Sequence, residues 1–266
     1  MSIIDLLKLP EAKTVRDLDS PDTARIHKQI IQNKPFLKNL YFDFYNEFKK
    51  IIETIPSGQL VEIGSGSGFL KEVIPNVITT DLFPSSNIDV VLKGTKMPFK
   101  DSSVSAFFLQ DVLHHIKEPI TFFTEITRCL VNKGKIIMIE PHMGLWGKFI
   151  WSNFHHEPLD ATAGWEIKQE GRLTGANQAL PWIIFFRDRK KFEQLFPDLK
   201  IKRLAPHTPF RYIISGGLSI KQLLPSFTYN SVKFIERLCS PLSKHLGMFI
   251  TIELHKETTS QAELPY

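Results

Sequence analysis

Residues 61 to 68 read Val-Glu-Ile-Gly-Ser-Gly-Ser-Gly, placing glycines at 64, 66 and 68 between an apolar strand-like run and a helix-like one. Glycines in alternation let the chain turn sharply, so that a ligand can lie against bare backbone where a strand ends and a helix starts. A dinucleotide fingerprint needs Gly-x-Gly-x-x-Gly, but its last position falls on Phe69, and no Gly-Lys-Ser/Thr follows to cradle a triphosphate. Glu62 sits within the strand, and an acid buried there needs a partner, either a ligand ammonium or the backbone donors of the loop. Thr79-Thr80-Asp81 puts a carboxylate at the end of the next strand-like run, where it would accept from both hydroxyls of a ribose if the glycines held the rest of a nucleoside. His114 and His115 are adjacent, so on a helix they project apart, and no ligand spacing joins them to cysteines or carboxylates. No metal site is expected. His115 reads as facing a pocket, as a general base or a substrate contact, with simple packing as the alternative. His142, His155, His156 and Glu157 fall past the fifth strand, where a substrate would approach, and read as solvated loop or substrate contacts, with a metal there as the lesser alternative.

Positioning such residues requires a sheet with strand ends side by side. From residue 57 short Val/Ile/Phe runs alternate with helical segments: strands at 59–63, 76–80, 88–92, 104–109 and 135–139, with helices around 69–74 and 119–131. Runs of this kind fit a mostly parallel sheet buried on both faces, with ligand bound at the carboxyl ends of its strands. The fold expected is α/β, a doubly wound, mostly parallel seven-stranded sheet. Residues 1–56 read as an N-terminal helical cap, with helical periodicity opened by Ser20-Pro21-Asp22 and broken at Pro35. The domain proper would span 57–256. Its second half is less regular: stretches 142–186 and 206–246 flank a charged helix at 187–196 and a strand at 199–204, and a final strand runs from 248 to 255. Loops of that length in a compact domain are usually functional covers. Residues 257–266 read as a polar, frayed tail.

The 266 residues, 42% hydrophobic and 23% charged, have the composition of an ordinary globular chain. Cys129 and Cys239 fall in apolar helical stretches without disulfide or zinc spacing, which suits a reducing compartment. The start, Met-Ser-Ile-Ile-Asp-Leu-Leu-Lys, lacks the pattern of a secretory signal, and no apolar run is long enough to span a bilayer. A cytoplasmic location is expected. The net charge of +5 comes from dispersed residues, so nucleic acid is not an expected partner.

Taken in order, Glu62-x-Gly64-x-Gly66-x-Gly68, Asp81, Met97-Pro98-Phe99-Lys100-Asp101-Ser102-Ser103-Val104, Asp111-Val112-Leu113-His114-His115-Ile116, Arg128-Cys129-Leu130-Val131-Asn132-Lys133-Gly134 and Ile139-Glu140-Pro141 resemble the successive motifs of class I S-adenosylmethionine-dependent methyltransferases, most closely the small-molecule type 11 subgroup. The resemblance covers about 57–141 and implies the Rossmann-like methyltransferase fold with S-adenosyl-L-methionine as cofactor. It implies that Gly64, Ser65, Gly66 and Gly68 pack against the methionine moiety, that Asp81 binds the ribose with Leu82 beside it, and that the segment containing Gly94 flanks the adenine. Gln110 and Asp111 would border the methionine group and the methyl-transfer opening. Two departures stand out. Lys93-Gly94 occupies the place where the family usually has an Asp for the adenine amino group, so that contact falls to backbone or to another residue. The link from Asp81 to Ile88 is also too short for the family's usual helix.

After the fourth strand stands Gln110-Asp111-Val112-Leu113 rather than the Asn/Asp-Pro-Pro-aromatic signature of exocyclic base amine methyltransferases, and no cysteine stands there for pyrimidine carbons. A small or lipophilic acceptor is expected beneath 142–186 and 206–246, motivated by Phe149, Trp151, Phe154, Trp165, Trp182, Phe185 and Phe186, unless these rings pack the insertion's own core. The same segments, with Lys148, Lys221, Lys233 and Arg237, suit peripheral membrane contact. The rival expectation is a non-catalytic cofactor-binding regulatory or partner protein on the same fold.

Overall fold

The computed structural model describes residues 7–14, 17–171 and 173–258. Residues 1–6 of the expected cap and the tail from 259 onward lie outside the described residues. Strands β1 (Gln59–Ile63), β2 (Val77–Asp81), β3 (Val90–Val91), β4 (Val104–Gln110), β5 (Leu130–Pro141), β6 (Leu199–His207) and β7 (Phe249–Lys256) form one sheet in the order β3-β2-β1-β4-β5-β7-β6. Strands β3 to β5 in that order run parallel, whereas β7 is antiparallel to both β5 and β6. This is the doubly wound sheet expected from the alternation of elements. The order reverses between β1 and β4, and Ile63 pairs with Leu109. The glycine loop and Gln110 therefore leave the sheet side by side at its switch point, where open α/β sheets bind ligands.

Each central strand sends alternate residues to two cores, as its period of two dictates. Val61, Ile63, Phe107, Leu109, Ile136 and Met138 enter one, beneath the helices Pro119–Cys129 and Arg189–Leu195. Leu60, Ala106, Phe108, Ile137 and Ile139 enter the other. That second face is covered by the N-terminal helices, which we number α1 (Pro21–Asn33) and α2 (Pro35–Lys49); α2 buries Phe36, Leu37, Leu40, Phe44, Tyr45 and Phe48. Ser20 caps α1 by accepting from the Asp22 amide. Pro35, which cannot continue α1, opens α2 instead.

Several elements differ from expectation. Only a 3₁₀ turn, Leu70–Glu72, follows the glycine loop, because Pro75 leaves too few residues for an α-helix before β2. α2 packs on this segment instead, with Phe42 and Tyr45 against Phe69 and Tyr45 Oη accepting from Phe69 N at 3.3 Å. The third strand shrinks to two residues, since the Asp89 carboxylate accepts from Thr79 N at 2.9 Å in place of strand pairing. The stretch 142–186 contains a ten-residue helix, Leu145–Phe154, and a π-helical turn, Ile183–Arg187, which precedes the charged helix. Cys129 is fully buried, but Cys239 caps a helix at the half-exposed surface rather than packing in the core.

Two of the quoted motifs serve the scaffold. The Arg128 guanidinium donates to the Phe99 and Met97 carbonyls at 2.9 and 3.2 Å and to Asp101 and Glu125, clasping the segment before β4 onto the helix before β5.

Candidate active site

Gly64 (φ +68°) and Gly66 (φ +47°) occupy the left-handed region, and a Cβ on Gly64 would fall 2.7 Å from Val112 Cγ2. The loop is stitched to the end of β2: Gly66 N donates to Asp81 Oδ2 at 2.8 Å and Ser65 N donates to the Thr80 carbonyl at 2.8 Å. Gly68 answers to a different neighbour. A Cβ there would lie 2.7 Å from Tyr45 Oη and 2.8 Å from the Ser65 carbonyl, so α2 presses directly on the loop. Leu82 stands exposed at the rim, and Gly94 lets its segment close on Phe122, whose Cδ2 would be 2.9 Å from an added Cβ. Lys93 pairs with Glu118 at 3.1 Å.

Glu62 is buried, and its Oε2 has no hydrogen-bond partner. Burial pushes its carboxyl up to about 7; the Ser65 hydrogen bond and Lys71 oppose the shift and Asp81 adds to it. A cationic ligand group would meet this demand. The residues present fit S-adenosyl-L-methionine: bare backbone at Gly64 and Gly66, a carboxylate on β2, and an unsatisfied acid beneath the loop.

At the end of β4, Asp111 adopts φ +54°, held there by its amide, which donates to the Ile139 carbonyl at 2.9 Å. Such strain in a non-glycine residue is concentrated at functional sites. Burial drives the Asp111 carboxyl up to about 7 against His114 and the Gln110 hydrogen bond, with Glu140 and Glu157 reinforcing the rise. Next comes a 3₁₀ turn, Leu113–His115. Glu140 Oε1 accepts from Val112 N and Leu113 N at 2.9 and 2.7 Å, while its Oε2 meets His114 Nδ1 at 2.7 Å.

The two histidines do not diverge. Their ring centroids are 4.2 Å apart, and Glu157 reaches in from the insertion to lie 3.3 Å from His114 Nε2 and 3.5 Å from His115 Nε2. This corrects the expectation drawn from helical geometry, because the turn is too tight and too short to splay the rings and the carboxylate comes from a distant segment. One donor atom each of His114, His115 and Glu157 lies within 4.8 Å of the others. His155 and His156 stand at 3.8 Å from the same carboxylate. Burial disfavours charge on His114, but hydrogen bonds to Glu140 and Glu157 overcome it and hold the imidazole protonated well above the usual range. Burial and the neighbouring His114 push His115 down to about 3.

Glu62, Asp81, Asp111, His114, His115 and Glu157 face one cavity of ≈ 1050 Å³. Its floor is the strand ends; its far wall includes Trp146, Ile150, Trp151, Phe154 and Tyr212, and Leu7, Leu18 and His27 from the N-terminal segment close another side. Among the described residues, five buried side-chain atoms have no hydrogen-bond partner. Four of them, on Glu62, Gln110, His115 and Gln178, belong to residues lining this cavity, where polar groups of a ligand or water would satisfy them.

The structure therefore brings together Glu62, Gly64, Ser65, Gly66, Gly68, Asp81, Leu82, Gly94, Gln110, Asp111 and His115, all of which line the cavity. Of the aromatics offered for the acceptor, Trp151 and Phe154 reach it. Trp165, Trp182 and Phe185 pack instead on the core beneath the helix Pro119–Cys129, and Phe149 and Phe186 are surface residues. His142 is tied to the Lys244 carbonyl at 3.1 Å. Sequence reading missed Tyr41, Tyr45, Glu140, Gln178 and Tyr212. Only Glu140 carried a signal, its place in the Ile-Glu-Pro motif.

Residues 61–138 match the protein family described as Methyltransferase domain. Together with the 3-2-1-4-5-7-6 sheet, that match defines a class I S-adenosylmethionine-dependent methyltransferase fold. The matched segment falls within the stretch 57–141 whose ordered motifs resemble the methyltransferases. An uncharacterized protein of Methanocaldococcus jannaschii is 29% identical over 103 residues, 36% of this chain. The alignment spans 50% of that relative's own length. Among solved structures, a possible histamine N-methyltransferase from Thermotoga maritima is 14% identical over 86% of this chain and 99% of its own, with a TM-score of 0.48. Geranyl diphosphate C-methyltransferase from Streptomyces coelicolor is 11% identical over 94% and 89%, also at 0.48. Overlaps of this size assign no activity to the chain. No helix among the described residues is long and apolar enough to cross a membrane.

Proposed function

We propose that this protein transfers a methyl group from S-adenosyl-L-methionine to a small or lipophilic acceptor. The observation that carries the reading is the continuity of one cavity from the glycine loop to an apolar wall of Trp146, Ile150, Trp151, Phe154 and Tyr212. Pockets of this make-up, mostly apolar with a few placed polar groups, suit a small organic molecule. The bound cofactor would supply an electrophilic methyl group on a sulfonium. The chain's part is then to bind and align: the backbone of residues 64–68 and Asp81 hold one partner, Glu62 meets the ammonium, and Gln110 and Asp111 border the opening. Alignment of two reactants contributes most of what such a transfer needs. The apolar wall excludes water. His115, neutral at pH 7, suits accepting a hydrogen bond from an acceptor O–H or N–H better than full removal of its proton.

The exposed Phe227, Phe234, Leu238 and Leu242, interspersed with Arg237, support peripheral contact with an anionic lipid surface as the source of a lipophilic acceptor, whereas Lys233 pairs with Asp43 at 2.7 Å. Flotation with anionic vesicles tests this, and absence of co-flotation at low salt removes it. The second reading, a cofactor-binding partner protein without catalysis, is favoured by Lys93 standing where the family carries an Asp. Metabolite and lipid extracts incubated with a methyl-labelled donor separate the two. Labelled product is expected; binding of S-adenosylhomocysteine with no label in any fraction would favour the partner protein.

A further inference from the structure

The carboxylate of Glu157 is 8% exposed and ringed by imidazoles from two places: His114 and His115 in the turn after β4, and His155 and His156 beside it in the chain. A buried carboxylate needs one cation to satisfy it. The additional imidazoles bring no further charge that the site requires, but they are the donors preferred by borderline-soft divalent ions. His114 carries the arrangement typical of a metal-bound histidine, with one ring nitrogen fixed by a carboxylate, Glu140 at 2.7 Å, and the other turned inward to the cluster. Gln178, 1% exposed, gives a second indication. Its Nε2 meets His155 Nδ1 at 2.6 Å and Glu157 Oε2 at 3.1 Å, while its Oε1 is buried without a partner. A ligand bearing a hydrogen-bond donor, such as ion-bound water, would satisfy that oxygen.

We propose that His114, His115 and Glu157 form a binding site for a divalent transition ion of the zinc class, with His155 at its edge, the ion displacing to solvent the proton that His114 Nε2 holds against Glu157. Two imidazoles and a carboxylate leave coordination positions open, and all three residues line the cavity. The ion would hold an oxygen-bearing ligand there, with His115 as its ligand rather than as a hydrogen-bond acceptor for substrate. That last role rests on the methyltransferase reading; ion binding itself does not.

Untagged protein, treated with chelator and dialysed, is titrated with Co²⁺ and followed by visible absorption, then by Zn²⁺ calorimetry. One ion per chain is expected, with cobalt bands that Zn²⁺ displaces. Glu157→Gln and His115→Asn should each weaken binding tenfold or more, while His255→Gln, remote on β7, leaves it unchanged. Absence of cobalt bands in the wild-type chain overturns the site, as does binding that both cluster variants retain at full strength. Should those variants fail to fold by circular dichroism, the wild-type spectrum and stoichiometry decide alone. Binding of S-adenosylhomocysteine, measured separately, reports on the cofactor site and not on this one.

Discussion

Glu62 carries a pH dependence whose sign follows from its surroundings. Its folded carboxyl is raised to about 7 from an ordinary 4.5, so the folded chain holds that proton more tightly than the unfolded chain. The resulting stabilisation is full below about 4.5 and is lost as pH rises through about 7. Urea denaturation at pH 5 and pH 8 should therefore show a fall that Glu62→Gln reduces. Part of the fall should survive in that variant, because Asp111 titrates in the same window. Cofactor affinity runs the other way: an ammonium favours ionised Glu62, so S-adenosylhomocysteine should bind more tightly as pH rises to about 7 and then level off. The groups acting on Glu62 are Ser65, Asp81 and Lys71, with Tyr45 close by. Glu62→Gln should flatten the profile. At Asp81, hydrogen bonds to a charged acceptor are worth roughly 1.5–3 kcal/mol, so Asp81→Ala should weaken S-adenosylhomocysteine by about 10- to 100-fold in calorimetry. An unchanged constant would remove Asp81 from the ribose site.

Between elements, the decisive contact is that of α2 with the glycine loop. Gly68 is required less by its own torsion than by Tyr45 Oη and the Ser65 carbonyl, both closer than 3 Å to where a Cβ would stand. Overpacking of this kind costs about 1–3 kcal/mol. Gly68→Ala should lower the midpoint of thermal unfolding accordingly and weaken cofactor binding along with it. Equal stability in the variant would show that α2 yields freely and does not shape the loop. The ligand-facing motifs at 64–68, 81 and 111–116 were readable from sequence because each follows the carboxyl end of a strand, and successive parallel strands bring those ends to one side. The role of α2 was not readable. Its apolar face says only that it packs somewhere, and the contact of Tyr45 with Gly68 and Phe69 joins segments more than twenty residues apart.

Over the whole molecule, the N-terminal segment, α2 and residues 206–246 are tied together. Leu9 N donates to the Ser219 carbonyl at 2.9 Å, and Lys221 N to the Leu7 carbonyl at 2.8 Å, so the N-terminal segment joins the second insertion directly. Behind that seam, buried Arg211 contacts Glu236, Asp43 and Tyr229, linking the insertion to α2. Removing one member of such a network leaves buried charges uncompensated, at about 3–5 kcal/mol. Arg211→Ala should lose stability of that order in denaturant titrations and open 206–246 to proteolysis; resistance equal to the wild type would show that the cover is held by its apolar contacts alone. By itself the sequence determined the doubly wound sheet, the glycine loop and Asp81, since these follow from local periodicity and from motifs spaced by the length of one strand and its turn. Only the tertiary structure decided that Trp165, Trp182 and Phe185 belong to a core, that the N-terminal helices wall the cavity, and that Glu157 meets His114 and His115. Those pairings join segments tens of residues apart through side-chain packing, and no local pattern in the chain encodes which distant neighbour a buried ring or carboxylate will find.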